Sequence, residues 1–262
     1  MDGYNFVAHP QRGISVKNFR PDADVLEAQL ALGQRLSNIA YQLRYEGYRS
    51  YDYIGDRPGG SYSDSYDAQA NNRTAIVFKQ GIPAATVRIT VHDPASADSG
   101  DRKLPAMEIF SDEIKATMAA LRPNGRRPRA AEIGRLVRSP AYAKDFAIVF
   151  ALFRIAGYLI LHADADVVFN AVRTHHMPMY RRFGFQQLEA PRQYPGLAFE
   201  TGLMACFRPN FADARDNLPF LQGISTEDAC YAGLIAGERV RLFGDAPNRA
   251  ARREPAGMKT TP

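Results

Sequence analysis

The chain has 262 residues, 45% of them hydrophobic and 23% charged, with a formal net charge of +5. That is enough apolar material for a real core in one large domain or two small ones, and the mild basicity permits an acidic partner without demanding one. No run of about 18 apolar residues occurs and residues 1–12 lack the apolar stretch of a signal peptide, so a cytoplasmic protein without a membrane span is expected, with peripheral membrane contact left open.

In chain order, Ile14 to Phe19 alternates apolar and polar residues, the period of a half-buried strand. Arg20-Pro21-Asp22 interrupts it. Asp24 with Glu27 three residues on has the form of a capping box, and Val25, Leu26, Leu30, Leu36, Ile39 and Leu43 then keep a roughly helical period. One helix is therefore expected from about Asp24 to Tyr48. Residues 49–72 are polar and rich in Gly, Ser, Tyr and Asp, with Asp64 and Asp67 three apart. A loop of that length is uncommon and often functional.

Arg73 to Lys79 and Ile82 to His92 flank Gln80-Gly81, the pattern of an antiparallel hairpin. Its second strand puts Thr86, Arg88 and Thr90 on one face, and an arginine in mid-strand predicts that this face meets a cleft. Ser111 is placed to cap a helix reaching Leu121, and the basic loop 122–129 follows. The stretch from Ala131 to Arg138 has the strand formers Ile133, Leu136 and Val137, yet it carries Glu132, Arg135 and Arg138. Charges in a central strand must be paired or serve chemistry. Next come an apolar helix from about Asp145 to Leu161, a strand from Val167 to Val172, a short helix ending at Gly184, and a strand from Phe199 to Phe207. One or two helices are expected between Leu218 and Leu242, and a disordered tail from Gly244.

Cys206 and Cys230 form no metal or redox spacing, and there is no His-Glu-x-x-His. His175 and His176 are neighbours, which point different ways on a strand or helix, so no shared metal and no bound cofactor are expected. Nucleic-acid binding is disfavoured because the basic residues are not interleaved with aromatics.

The order of elements, closing on Tyr180…Gly184-Phe185, resembles the GNAT acyltransferase superfamily over residues 14 to about 208. Within it the chain is most similar to the N-acyl amino acid synthases and the related acyl-homoserine-lactone synthases. The resemblance rests on Arg44 with Tyr48, on Asp64 with Asp67, on Arg88, on Phe110 and on Glu132-x-x-Arg135. Absence of tryptophan and a C-terminal extension favour the amino acid synthases over the autoinducer synthases. The resemblance implies an α/β (α+β) fold: one GNAT-like domain over 14–208 with a mixed sheet of about seven strands flanked by helices. An N-terminal arm (1–13), a helical extension (209–243) and the tail (244–262) complete it.

The implied reaction is transfer of a fatty acyl group, of long chain, from acyl carrier protein to the α-amine of an amino acid. Homoserine-lactone synthesis is the alternative, and an inactive GNAT-like binding module a more distant one. Glu132 is the candidate base, since an ammonium cannot attack until it loses a proton. Arg135 stands with it, and Tyr180 is placed to protonate the leaving thiolate. Arg44, Tyr48, Asp64, Asp67, Arg88 and Phe110 are expected at the acceptor side. The Arg138-Ser139-Pro140-Ala141-Tyr142-Ala143 turn is a poor pyrophosphate cradle, because Pro140 removes an N–H and Ala replaces the first glycine. That favours a carrier protein over coenzyme A, with Arg126, Arg127, Arg129 and Arg138 as donor-binding residues on a basic rim that also takes in Lys144, Arg181 and Arg182.

Overall fold

A computed structural model describes residues 25–96 and 103–243. The strand expected at Ile14–Phe19, the N-terminal arm and the tail lie outside the described residues. Leu26–Leu30 (β1) opens the sheet, and its burial alternates with period two. Here the sequence expectation of a single helix from Asp24 is corrected. Leu26, Ala28 and Leu30 face the core and the strand pairs antiparallel with its neighbour, so tertiary pairing overrides the helix propensity of Leu-Glu-Ala-Gln-Leu. The helix begins only at Gln34 (α1, Gln34–Arg49), after Gly33 turns the chain at φ 79°. Gly47 in α1 packs directly on the central strand: a Cβ there would meet Val137 Cγ1 at 2.2 Å.

The hairpin forms as expected, β2 (Asn72–Lys79) and β3 (Ile82–His92) about Gln80-Gly81, both at positive φ. Helix α2 (Met107–Ala120) starts before Ser111 and kinks at Phe110, so Ser111 lies inside it and caps nothing. Strand β4 (Ala130–Arg138), helix α3 (Phe146–His162) and strand β5 (Val167–Arg173) follow. Asp145 caps α3 by accepting the N–H of Ala147 at 3.0 Å. Helix α4 (Met177–Arg182) leads through Gly184 at φ 86° to β6 (Gln186–Gln187), β7 (Arg192–Gln193) and β8 (Glu200–Phe207).

The chain beyond β8 departs from the expected pattern. A helix begins at once, α5 (Arg208–Asn217), then α6 (Ala229–Ile235), and the short β9 (Val240–Arg241) returns to pair with β1. The C-terminal part is thus not purely helical. It completes the sheet edge and packs Phe220, Leu221, Ile224 and Leu234 into the main core.

Among the described residues the sheet has nine strands, two more than the sequence suggests, in the order β6-β8-β5-β4-β3-β2-β1-β9 with β7 beside β8. The strands not foreseen are β1 and the two-residue pieces β6, β7 and β9, the last three too short to leave a periodic signal. Only β4 and β5 run parallel, and α3 makes the crossover between them. One face of the sheet carries α3 and the C-terminal helices. The other is covered by α1, α2 and the loop from 50 to 71.

Replacing Gly47 by alanine should press α1 away from β4 and cost about 1–3 kcal/mol. A urea midpoint unchanged from wild type would show that the helix moves freely on the strand.

Candidate active site

The centre of the sheet is irregular, and the irregularity builds the site. Thr86 pairs with Val137 and Arg88 with Gly134, so two residues of β4, Arg135 and Leu136, stand opposite the single Val87. This is a β-bulge, with Arg135 in left-handed backbone at φ 51°. In a regular strand, residues 132 and 135 would point to opposite faces. The bulge turns Arg135 onto the face that already carries Glu132 and Arg88. Leu136 and Arg138 then fall on the α3 side, and Val137 against α1.

On the charged face three arginines meet two aspartates. Arg44 Nη1 donates to both carboxylate oxygens of Asp67 (2.7 and 2.8 Å), and its Nη2 donates to Thr74. Arg88 Nη1 bridges Asp64 (2.6 Å) and Asp67 (2.9 Å). Arg135 Nε and Nη2 both reach Asp64 Oδ2, at 3.0 and 2.5 Å. Arg44 is 0% and Arg88 1% exposed. Burial raises the pKa of Asp64, but hydrogen bonds and charge from Arg88 and Arg135 outweigh it and hold the carboxyl down at about 2. The hairpin face therefore meets a buried ionic cluster under the loop, where the sequence predicted a cleft. Tyr48 and Tyr62 pack edge to face beside it, and the Tyr48 hydroxyl lies 3.5 Å from Arg135 Nη1.

Glu132 forms no ion pair with these arginines. Its Oε2 accepts the Ala106 N–H at 2.7 Å, at the start of α2. Burial raises its pKa to about 7, opposed by that hydrogen bond and by the charges of Arg88 and Arg135. Gly134 stands beside it: a side chain at 134 would meet Glu132 Oε1 at 3.8 Å. Gly134 also lines a solvent-open cleft of about 350 Å³, so the carboxyl lies next to a residue of the cleft although Glu132 itself does not line it. At about 350 Å³ the cleft falls within the roughly 300–1,000 Å³ of ordinary ligand pockets.

That cleft passes through the sheet. Pairing of β4 with β5 stops at Glu132–Phe169, and beyond it the strands part. Tyr48, Tyr53 and Phe199 line the cleft on the charged face, whereas Val149, Met179 and Tyr180 line it on the α3 face. Tyr180 packs on Phe153 and Phe185, and burial raises its pKa.

Other expected site residues lie elsewhere. Phe110 is fully buried in the core between α2 and the sheet, with the Arg192 guanidinium 5.0 Å from its ring centre. Arg138 ends β4 at the cleft and donates to the Asp145 carbonyl at 2.7 Å. Arg126, Arg127 and Arg129 precede β4, at its other end, and are not brought together with Arg138. Arg126 is bidentate on Asp166, and Arg129 pairs with Asp93 and Asp164. The two histidines do not diverge: their ring centres lie 4.1 Å apart and both line the cleft. Arg173 donates to His176 Nε2 at 2.7 Å, and burial, aided by that positive charge, lowers His176 to about 3. No group of three potential metal ligands occurs among the described residues, and no helix among them is long and apolar enough to cross a membrane.

Sequence reasoning missed Gly134, Asp145, Asn170 and Arg173. Asp145 had a readable signal, an acidic residue just ahead of an apolar helix. The others owe their roles to the bulge and the parting of β4 from β5.

The family described as N-acyl amino acid synthase FeeM matches residues 39–206. Among solved structures, FeeM, an N-acyl amino acid synthase from uncultured soil microbes, superposes with a TM-score of 0.59 at 16% identity, over 77% of this chain and 99% of that one. The acyl-homoserine-lactone (AHL) synthase LasI superposes with a TM-score of 0.50 at 12% identity, over 70% of this chain and 89% of its own. Both share the GNAT-like fold. No curated protein matches the sequence.

Asp67→Ala should leave Arg44 buried without its carboxylate and destabilise the protein by about 3–5 kcal/mol. Limited proteolysis should then cut within residues 50–71. Wild-type stability and an uncut loop would mean that the ionic cluster does not hold the loop.

Proposed function

Given that the chain belongs to the FeeM family of N-acyl amino acid synthases and is an acyltransferase, we propose that it moves a fatty acyl group from the phosphopantetheine arm of an acyl carrier protein to the α-amine of an amino acid. The observation that carries this proposal is the Glu132 carboxyl, raised to about 7 and set beside Gly134, a residue of the cleft, where β4 and β5 part. A base of that pKa matches its proton affinity to work near neutral pH. Glu132 takes the proton of the acceptor amine, directly or through one water. The amine attacks the thioester carbon in the gap, backbone N–H groups of the parted strands stabilise the oxyanion, and Tyr180 returns a proton to the thiolate.

The acceptor side is the charged face. Arg44, Arg88 and Arg135 against Asp64 and Asp67 leave one positive charge over. Once Glu132 has taken the amine's proton, that surplus is left to hold the carboxylate of the amino acid. Tyr48 and Tyr62 flank it.

The donor side is the α3 face. A helix N-terminus there would suit a pyrophosphate, but Asp145 already occupies the N–H of Ala147 with a carboxylate that is also paired with Lys79 at 2.7 Å. The N–H that would cradle an anion there is already taken. This supports a carrier protein, which presents its arm without the pyrophosphate of coenzyme A. Exposed Lys144 lies between the cleft residues Ala143 and Phe146, and exposed Arg181 and Arg182 directly follow Tyr180. These and Arg138 form the basic rim of the proposal in place of Arg126, Arg127 and Arg129.

Mass spectrometry of lipid extracts from cells producing the protein should reveal an N-acylated amino acid. An acyl-homoserine lactone instead would move the acceptor assignment, and neither product would remove it. Activity should fall as pH drops through about 7, where Glu132 takes up its proton. Glu132→Gln should leave the fold intact, lower kcat about 100-fold and abolish that acidic limb. A variant that keeps normal turnover and the same pH profile would acquit Glu132.

Reversing Lys144, Arg181 and Arg182 to glutamate should raise KM for the carrier-protein donor, most at low salt, and spare a small pantetheine thioester. Equal losses with both donors would place the carrier protein elsewhere.

A further inference from the structure

Asn170 is the first residue of β5 beyond its ladder with β4, and it is 2% exposed. Its neighbours Val168 and Val172 belong to the core under α3, whereas Val167 and Phe169 belong to the core under α2. Alternation along the strand therefore sends the Asn170 side chain to the donor side of the sheet. Two observations set it apart. Its Nδ2 donates to the Ile133 carbonyl at 2.7 Å, at the point where β4 would next have taken a backbone N–H from β5. The side chain thus stands in for the missing ladder bond and wedges the strands apart. Its Oδ1 is buried and has no hydrogen-bond partner among the described residues, although Asn170 lines the cleft. A buried acceptor left empty is costly, and a protein that keeps one in a substrate cleft gains by filling it from the substrate.

The donor that fits is a secondary amide. The acceptor amine is excluded by side, since Glu132 and the arginines lie on the opposite face. A phosphopantetheine arm running through the gap is an extended chain with amide N–H groups spaced to replace a strand. We infer that Asn170 is a donor-binding residue: its Nδ2 holds the gap open at Ile133, and its Oδ1 accepts the amide N–H of the thioester arm nearest the sulfur. The inference rests on the thioester donor proposed above and names the group that recognises it.

Two truncated donors separate the possibilities. One is an S-acyl N-acetylcysteamine, which keeps the amide N–H two carbons from sulfur. The other is its ester counterpart, in which oxygen replaces that N–H. Wild-type protein should prefer the amide by about tenfold in kcat/KM, the worth of one satisfied buried acceptor. Asn170→Leu, which keeps the size and removes both polar groups, should bring the ratio close to one, chiefly through KM for the donor. Asn170→Ala should do the same and serves if the leucine variant does not fold. A purely structural role would lower activity with both donors and leave the ratio unchanged. A wild-type ratio of one, or an unchanged ratio in either variant, overturns the inference while leaving the acyl-transfer proposal standing. Failure of the wild-type protein to use either thioester would overturn both.

Discussion

The left-handed residue at Arg135 is the constraint on which the site depends. A regular β4 would show Glu132 and Arg135 to opposite sides of the sheet. Inserting one residue against Val87 puts both on one face and ends the pairing with β5 just beyond Glu132. A non-glycine residue held at φ 51° costs on the order of 1–3 kcal/mol. That cost is offset by the two hydrogen bonds from Arg135 to Asp64, which exist only because the backbone is turned. The strain, the ion pairs and the gap are one feature seen from three sides.

In the reaction proposed above, the gap also divides the labour. Charge, aromatic rings and the base lie on the face of α1 and the loop, where an amino acid can be gripped by its carboxylate and relieved of a proton. The opposite face is apolar and walled by α3 and α4, suited to a pantetheine arm and a hydrocarbon tail. In the proposed reaction two substrates of unlike chemistry approach one carbon from opposite sides of a sheet, and neither site has to tolerate the other's polarity.

Much of this was legible in the sequence. The hairpin, the charged strand ending at Arg138 and the apolar crossover helix announce themselves through period, whereas the charged residues from Arg44 to Arg135 stand together only through the resemblance, which agrees with the family match. The failures have physical causes. Leu26–Leu30 is a good local helix former that the neighbouring β2 captures as a strand. The C-terminal segment has no pattern strong enough to foretell that two of its residues pair with β1. Phe110 satisfies the spacing of a site residue but fills the core, because spacing does not say which side of α2 faces the cleft. Arg126 and Arg129 are near Arg138 in sequence, but an extended strand of nine residues separates the two ends. The bulge itself left no trace, since nothing in Gly-Arg-Leu-Val demands a left-handed arginine.

The ionic cluster has a further consequence for how the molecule assembles. Arg135 and Asp64 lie 71 residues apart along the chain, and Arg44 and Asp67 are separated by 23. The Arg135–Asp64 pair cannot close until the loop has met β4, so it belongs to the contacts of high sequence separation that form late. Interactions absent from the folding transition state act on the rate of unfolding and hardly on the rate of folding. The segment from 50 to 71 is therefore latched after the sheet is made, and the latch governs how long the finished structure persists.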